Sequence, residues 1–204
     1  MFELFADSTP NARKISIMLE EINESYDLTL VNLNKGEQFN DEFKKISPFS
    51  KITVLRHNKK TIFESGAILI YLANLSGEFY GSNQSLTTQW LMAQMGYIGP
   101  MLGQHHQFHH YNPGKSDFGE DRYFKIAETI YKNLDDHLSI NEYLANEYSI
   151  ADIATFPWIA RHPIHDIGLN KYINLLRWYN QISLRPAVLK GYDLFKDGSI
   201  PPTA

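Results

Sequence analysis

The hydrophobic rhythm of the chain changes once, near Gly77. Before it, short apolar runs alternate with helical stripes; after it, no segment carries strand rhythm. Phe2 to Ala6 predicts a strand. Ser8-Thr9-Pro10 then forms a helix start, a hydroxyl cap ahead of a proline in the first turn. Ile15, Met18, Leu19 and Ile22 follow at i, i+3, i+4 and i+7, one apolar stripe on a charged helix. Leu28 to Leu33 predicts a second strand, Asn34-Lys35-Gly36 a break, and Phe39 to Ile46 a short helix or irregular segment. Thr53 to Arg56 and Thr61 to Phe63 predict two strands joined through Asn58-Lys59. Ala67 to Ala73 is apolar throughout, so periodicity does not decide it; its Ala and Leu content and the Glu64-Ser65-Gly66 entry favour helix. The order β-α-β-α-β-β-α describes a small mixed sheet with helices on its faces.

Beyond the break the pattern is helical. Leu86, Trp90, Ala93, Tyr97 and Met101 form a stripe that Gly99-Pro100 should kink rather than end, since apolar spacing continues at Leu102. Tyr111 to Ser116 reads as a loop. Tyr123, Ala127, Ile130, Leu134 and Leu138 mark a second long helix, and Tyr148-Ser149-Ile150-Ala151-Asp152-Ile153 carries the start signature of a third. There Ser149 would cap the helix and Asp152 would reach back to its backbone. Lys171 to Ser183 predicts another helix, ended by Arg185-Pro186, and a short helix and Pro201-Pro202 close the chain. The expected organisation is an α/β domain over residues 1–77, a linker, and an all-helical domain over 85–204.

Composition removes several function classes. Nineteen basic against 23 acidic residues give a net charge of −4, which leaves no electrostatic footprint for nucleic acid. No apolar run approaches bilayer length, and the opening Met-Phe-Glu-Leu-Phe-Ala-Asp lacks the regions of a signal peptide. The expectation is a cytoplasmic protein with no membrane partner. The chain has no cysteine, so it has no disulfide, thiolate metal site or cysteine nucleophile. Any thiol chemistry must use a thiol that arrives with a substrate.

Candidate chemistry gathers at helix starts. Ser65 would sit where unpaired backbone N–H groups and the helix dipole favour a bound carboxylate or phosphate. Ser8, Thr9 and Ser65 also read as plain caps, and Asn11 as a surface helix residue. Arg13 and Lys14 could attract an anionic ligand, or simply be solvated charge. His105, His106, His109 and His110 give two i, i+4 pairs, a spacing able to hold a metal. With no cysteine or fixed carboxylate nearby, the better reading is a polar helix end, and no metal is expected. Trp90, Trp158 and Trp178 read as packing residues and Asp152 as a capping carboxylate.

In order and spacing, Thr9-Pro10-Asn11, Gln38-Phe39, Ile46-Ser47-Pro48, Phe63-Glu64-Ser65-Gly66-Ala67-Ile68 and Tyr71-Leu72-Ala73 resemble the cytosolic glutathione transferases. Gly99-Pro100-Met101-Leu102-Gly103-Gln104 and Tyr148-Ser149-Ile150-Ala151-Asp152 extend the resemblance over nearly the whole chain. The Thr-Pro-Asn and Gly-Pro-Met-Leu-Gly-Gln segments are most similar to the bacterial Nu class, whose members reduce disulfide bonds. The resemblance implies a thioredoxin-like N-terminal domain, a helical C-terminal domain and a homodimer. It implies glutathione as co-substrate, held at its γ-glutamyl end by Glu64 and Ser65, at its cysteinyl backbone by Ile52, and by Gln38 at the glycyl end or backbone. Thr9 and Asn11 would lie near the sulfur as the catalytic pair, donating to the thiolate, which is the nucleophile. An acceptor pocket is expected around Tyr97, Met101, His105 and Phe108, taking a small electrophile or a disulfide.

The chain departs from the family twice. Thr53 stands where the family has a cis-proline, and a cis Ile52-Thr53 bond is expected if glutathione binding is retained. Thr129 stands where Nu-class members place an arginine that reaches the partner subunit's glutathione. The implied function is glutathione-dependent transfer or disulfide reduction; the alternative is a non-catalytic glutathione-binding or regulatory protein on the same fold.

Overall fold

A computed structural model of the chain describes residues 1–196 and 200–204. Its strands are β1 (Phe2–Ala6), β2 (Tyr26–Leu30), β3 (Val54–His57) and β4 (Lys60–Phe63). Its helices are α1 (Pro10–Glu21), α2 (Asp41–Lys44), α3 (Ser65–Ser76), α4 (Gln84–Ala93), α5 (Gly99–His105) and α6 (Asp117–Leu138), then α7 (Ile150–Ile159), α8 (His162–His165), α9 (Ile173–Ser183) and α10 (Pro186–Asp193). These pack as two compact units, Met1–Tyr80 with Pro186–Ile200, and Gly81–Arg185 with Pro201–Ala204.

The first unit is thioredoxin-like. Its sheet has the order β2-β1-β3-β4, with β1 and β2 parallel and the other two pairs antiparallel. Alternation along the strands splits the core. Phe5, Val31, Phe43 and Val54 cluster with Ile46 and Ile52 on the α2 side. Against the other helices, Ile15, Met18, Leu19, Ile68, Leu69 and Leu72 are fully buried. β2 begins two residues earlier than the apolar run suggests, because its register on β1 is fixed at Phe2 to Tyr26 and closes at Ala6 to Leu30. As an edge strand it tolerates the polar Tyr26-Asp27 start.

Helix α10 belongs to this unit and lies close against α1. A Cβ built on Gly191 would stand 2.9 Å from the backbone nitrogen of Ile17, so only glycine permits this approach. Ser16 Oγ donates to the Gly191 carbonyl at 2.9 Å. Arg13 donates to the Tyr192 carbonyl at 2.9 Å and lies 4.1 Å over the Tyr192 ring. Arg13 and Lys14 are therefore buried rather than solvated, at 6% and 1% exposure.

The second unit is all-helical. From Gln84 to Tyr111 the helix is continuous but widens into π-turns at Gln94–Ile98 and His106–Tyr111. The first wide turn lies directly ahead of Gly99-Pro100, where the proline lacks an N–H and the ladder must adjust. The buried face of this run is Thr87, Leu91, Gln94, Ile98, Leu102 and His105. That face is displaced by one residue from the expected stripe of Leu86, Trp90, Ala93, Tyr97 and Met101; Tyr97 is exposed. Three polar residues on the inner face misled the apolar count. Trp158 packs on Gly99 and Gly103, with its ring 3.2 Å from where a Gly99 Cβ would stand.

On α6, Ala127, Ile130, Leu134 and Leu138 are buried as the spacing predicts. Asp135 on the same helix accepts from the Asn174 and Leu175 backbone N–H groups at 2.8 and 2.9 Å, capping α9. At the start of α7 the reciprocal Ser149–Asp152 capping box is complete. Asp152 is fully buried and also accepts from Leu144 N–H at 3.0 Å and Trp178 Nε1–H at 2.8 Å. Burial raises its pKa to about 6 against the pull of those donors.

Candidate functional site

The sheet register brings the first unit's candidate residues to one end. Phe5 pairs with Val54, so the chain leaving β1 toward Thr9 lies beside the chain entering β3 from Ile52. Val54 also pairs with Phe63, which places Glu64 and Ser65 at that same end. Ala6 pairs with Leu30 in parallel, so the segment that carries Gln38 departs from there too. Thr9, Asn11, Gln38, Ile52, Glu64 and Ser65 thus occupy connections that converge at the end of the sheet where α1 and α3 begin.

Each connection is braced by its own side chains. Thr9 caps α1, its Oγ1 accepting from Ala12 N–H at 3.3 Å. A threonine hydroxyl accepts and donates at once, so the cap leaves its proton available to another acceptor. Asn11 is half-buried in the first turn. Asp7 accepts from the backbone N–H groups of Ser8 at 2.8 Å and Leu33 at 3.0 Å, tying the β1 exit to the β2 exit. Ser47 Oγ donates to Lys51 O at 2.7 Å and accepts from Lys51 N–H at 3.0 Å, closing the loop into β3. The Ile52–Thr53 peptide bond is cis, as expected. Ser47 lies in the Ile46-Ser47-Pro48 segment that the family spacing picks out, whereas Asp7 carries no spacing signal and only its Asx-turn chemistry hints at it.

Two polar atoms at this end are buried without a hydrogen-bond partner, Gln38 Oε1 and Thr53 Oγ1. Ser65 is the first residue of α3 and is buried. Glu64 precedes it at φ 71°, a left-handed conformation rare for a residue with a side chain, and its carboxylate makes no cap bond. Lys14 is enclosed on α1, and burial lowers its pKa to about 7 while the negative charge of Glu64 pulls it upward. The donors of two helix starts meet here, a setting that favours an anion and lowers a thiol's pKa.

The helical unit holds the remaining candidates. Tyr97 is exposed, Met101 half-buried, and Phe108 stacks on Tyr123 with ring centroids 5.2 Å apart. His105 is fully buried, with Nε2 donating to the His165 carbonyl at 2.8 Å and Nδ1 unpartnered. The expected i, i+4 pair His105 and His109 stacks at 4.8 Å. Sequence spacing missed His165, which turns the cluster into a chain of hydrogen bonds. Burial pushes the Tyr131 phenol pKa up, so Tyr131 donates to His165 Nδ1 at 2.5 Å. His165 Nε2–H then donates to His106 Nε2 at 2.7 Å. Burial and nearby positive charge lower His106 to about 3 and His165 well below the usual value, so both are neutral. Among the described residues, no group of three or more His, Asp or Glu is placed to hold a metal ion. Thr129, on α6, is exposed and donates to the Lys125 carbonyl at 2.8 Å.

A thioredoxin-like sheet with two helix starts at one end, joined in sequence to a helical unit, defines the class. The glutathione S-transferase N-terminal domain family matches residues 2–74, and the glutathione S-transferase C-terminal domain family matches residues 115–186. The chain belongs to the glutathione S-transferase family. Among its relatives is the disulfide-bond oxidoreductase YfcG of Escherichia coli, 39% identical over 92% of each chain. A glutathione transferase from Pseudomonas putida, solved with one glutathione disulfide bound per subunit, superposes with a TM-score of 0.89 at 36% identity, covering 97% of this chain and 92% of that one. A glutathione transferase from Burkholderia graminis, solved with two glutathione molecules per subunit, also gives a TM-score of 0.89 at 36% identity, over 97% and 89%. No described helix is long and apolar enough to cross a membrane.

Proposed function

We propose that this protein is a glutathione-dependent disulfide oxidoreductase whose nucleophile is the thiolate of bound glutathione. The observation that carries this reading is the convergence of six candidate residues at one end of the sheet in a chain without cysteine. The γ-glutamyl carboxylate suits the α3 start at Ser65, and its ammonium suits the Glu64 carboxylate. The Ile52 backbone would pair with the cysteinyl unit, and Gln38 would hold the glycyl end. Thr9 and Asn11 would donate to the sulfur, favouring thiolate over thiol without a general base.

The bound thiolate attacks one sulfur of a disulfide, forms a mixed disulfide and expels the other half as a thiolate, which takes a proton from water. A second glutathione thiolate attacks the mixed disulfide, releasing the other half and leaving glutathione disulfide. The two electrons come from two glutathione thiols. The bound states of the Pseudomonas putida and Burkholderia graminis proteins contain the corresponding product and co-substrate. An acceptor pocket around Tyr97, Met101, His105 and Phe108 is supported by the exposed Tyr97 ring and the half-buried Met101 and Phe108, while His105 is enclosed on the inner face. A cytoplasmic homodimer is part of the same proposal, supported by family membership.

Turnover of a model disulfide with glutathione, followed through glutathione disulfide formation, tests the reading. Thr9→Ala with Asn11→Ala should lower turnover on the order of 10–100-fold. No turnover by the wild type with several disulfides and electrophiles would refute catalysis. Calorimetric glutathione binding without turnover would then favour the non-catalytic alternative, which has Thr129 in its support: this position supplies no cation to anionic glutathione.

A further inference from the structure

Asp7 ties together two connections that the sheet only brings near each other. It follows β1 and leads to Thr9, while the chain leaving β2 passes through two short 3-10 turns, Leu33–Lys35 and Glu37–Phe39, the second holding Gln38. Each carboxylate oxygen serves one connection: Oδ1 accepts from Ser8 N–H at 2.8 Å, and Oδ2 from Leu33 N–H at 3.0 Å. The Asp7 carbonyl also accepts from Thr9 N–H at 2.7 Å. A carboxylate can accept at both ends, whereas asparagine offers one oxygen and an amino group that cannot accept. The hold extends to Gln38 through the turns. Asn32 N–H donates to Glu37 Oε2 at 2.7 Å, Asn32 Oδ1 accepts from Lys35 N–H at 3.0 Å, and Glu37 N–H returns to the Asn32 carbonyl at 3.2 Å. Gln38 Oε1 is buried without a partner among the described residues, so the placement of Gln38 rests on these turns. Beyond the last ladder bond, Val31 N–H to the Ala6 carbonyl at 2.9 Å, the Asp7 carboxylate fastens the turns to the β1 exit.

We propose that Asp7 is a positioning residue whose carboxylate fixes the span between Thr9 and Gln38, and so selects the full tripeptide glutathione over shorter γ-glutamyl thiols. This rests on the glutathione reading above and deepens it. In that reading Thr9 meets the sulfur and Gln38 the glycyl end, so the ligand bridges the two connections that Asp7 ties together. A ligand that makes both contacts gains from a preset span, because the two connections are ordered in folding rather than on binding. γ-Glutamylcysteine carries the same γ-glutamyl group and thiol but lacks the glycyl unit. It makes no contact with Gln38 and gains nothing from the span. Loss of the Asp7 carboxylate therefore weakens glutathione selectively.

The test is calorimetric titration of the full chain with glutathione and with γ-glutamylcysteine at pH 7. Wild type should bind glutathione about tenfold more tightly than γ-glutamylcysteine. Asp7→Ala should reduce that preference to about twofold by losing glutathione affinity, with γ-glutamylcysteine affinity changed less than about threefold. Asp7→Asn, which loses one of the two bonds, should fall between, and it gives the reading where the alanine variant does not fold. Glu37→Ala, which frees Asn32 N–H further along the same connection, should also weaken glutathione alone. Combining Asp7→Ala with Gln38→Ala should cost no more preference than Gln38→Ala by itself, because both act on one contact. Equal affinity of wild type for the two thiols overturns the proposal even if no variant folds. So does a folded Asp7 variant that keeps the wild-type preference, or one that weakens both ligands alike, as a purely structural role would. These results leave glutathione binding standing. No binding of either thiol by folded wild type would instead overturn the glutathione reading, and this proposal with it.

Discussion

Replacing Asp152 with alanine should unfold the helical unit at markedly lower temperature. Asp152 Oδ1 serves Leu144 N–H and Trp178 Nε1–H, at 3.0 and 2.8 Å. Oδ2 serves Ser149 N–H and Ser149 Oγ–H, both at 3.1 Å. Alanine strands three buried N–H donors, while the Ser149 hydroxyl can rotate to another acceptor. Each stranded donor costs about 1–3 kcal/mol, and the lost helix cap is contained in one of them. Against this, burial already disfavours the ionised carboxyl, whose pKa stands near 6, so its removal returns part of that cost. The balance is a loss of about 3–5 kcal/mol, or roughly 8–15 °C in midpoint for a chain of this size. Asp152→Asn keeps one carbonyl oxygen for Leu144 and Trp178 and loses the bond from Ser149 N–H, so it should cost about 1–2 kcal/mol. Thermal melts and urea titrations by circular dichroism at pH 7.5 measure both variants. An alanine variant within 1 kcal/mol of wild type, or an asparagine variant as unstable as alanine, would refute the reasoning.

Three more outcomes follow from features of the two units. Gly191→Ala forces a methyl to 2.9 Å from the Ile17 backbone and should cost about 1–3 kcal/mol in urea titrations, since backbone cannot yield as a side chain can. Arg13→Met keeps the stem's packing but removes bonds to the Tyr192 carbonyl and Ser8 Oγ, and should lower stability by about 1–3 kcal/mol in the same assay. Acidification tests the histidine chain: the folded-state pKa values of His106 and His165 lie below the unfolded value near 6.5, so the unfolded chain binds more protons as pH falls. Stability from this pair is present above pH 6.5 and is lost progressively toward about pH 3, and His106→Leu with His165→Leu should flatten that slope in urea titrations at stepped pH. Asp152 opposes it, because its folded-state value near 6 exceeds the unfolded value near 3.8, giving stability that is full below 3.8 and lost as pH rises through 6.

Much of the fold was legible because local signals agreed with one another. Thr9-Pro10, the Ser149–Asp152 box and the Asn58-Lys59 turn each announce an element boundary by backbone chemistry that needs no tertiary context. The family order of Thr9-Pro10-Asn11 and Glu64-Ser65-Gly66 singled out positions that the sheet register brings to one end, although no periodicity could have joined them. Less legible were features decided by packing. The inner face of the Gln84–Tyr111 run carries Thr87, Gln94 and His105, whose polar atoms make an apolar count choose the neighbouring stripe. Lys14 looks like surface charge in sequence because burial of an ammonium is rare, and only tertiary structure supplies its enclosure. His165 joins His106 across 59 residues, beyond any local spacing rule.

The seating of α10 on α1 has a consequence for how the protein is made. A ribosome delivers the four strands and α1 to α3 first, but the helix that covers Ile17 and engages Arg13 emerges only after α4 to α9. At 5–20 residues per second, the stretch from Tyr80 to Asp193 takes roughly 6–23 s to appear. During that interval the apolar and guanidinium groups of α1 lack their cover, and the nascent chain presents a surface that a chaperone can hold. A fragment stopped at residue 80 would keep that uncovered surface permanently. The N-terminal unit is thus begun first and closed only after α4 to α9 have been made.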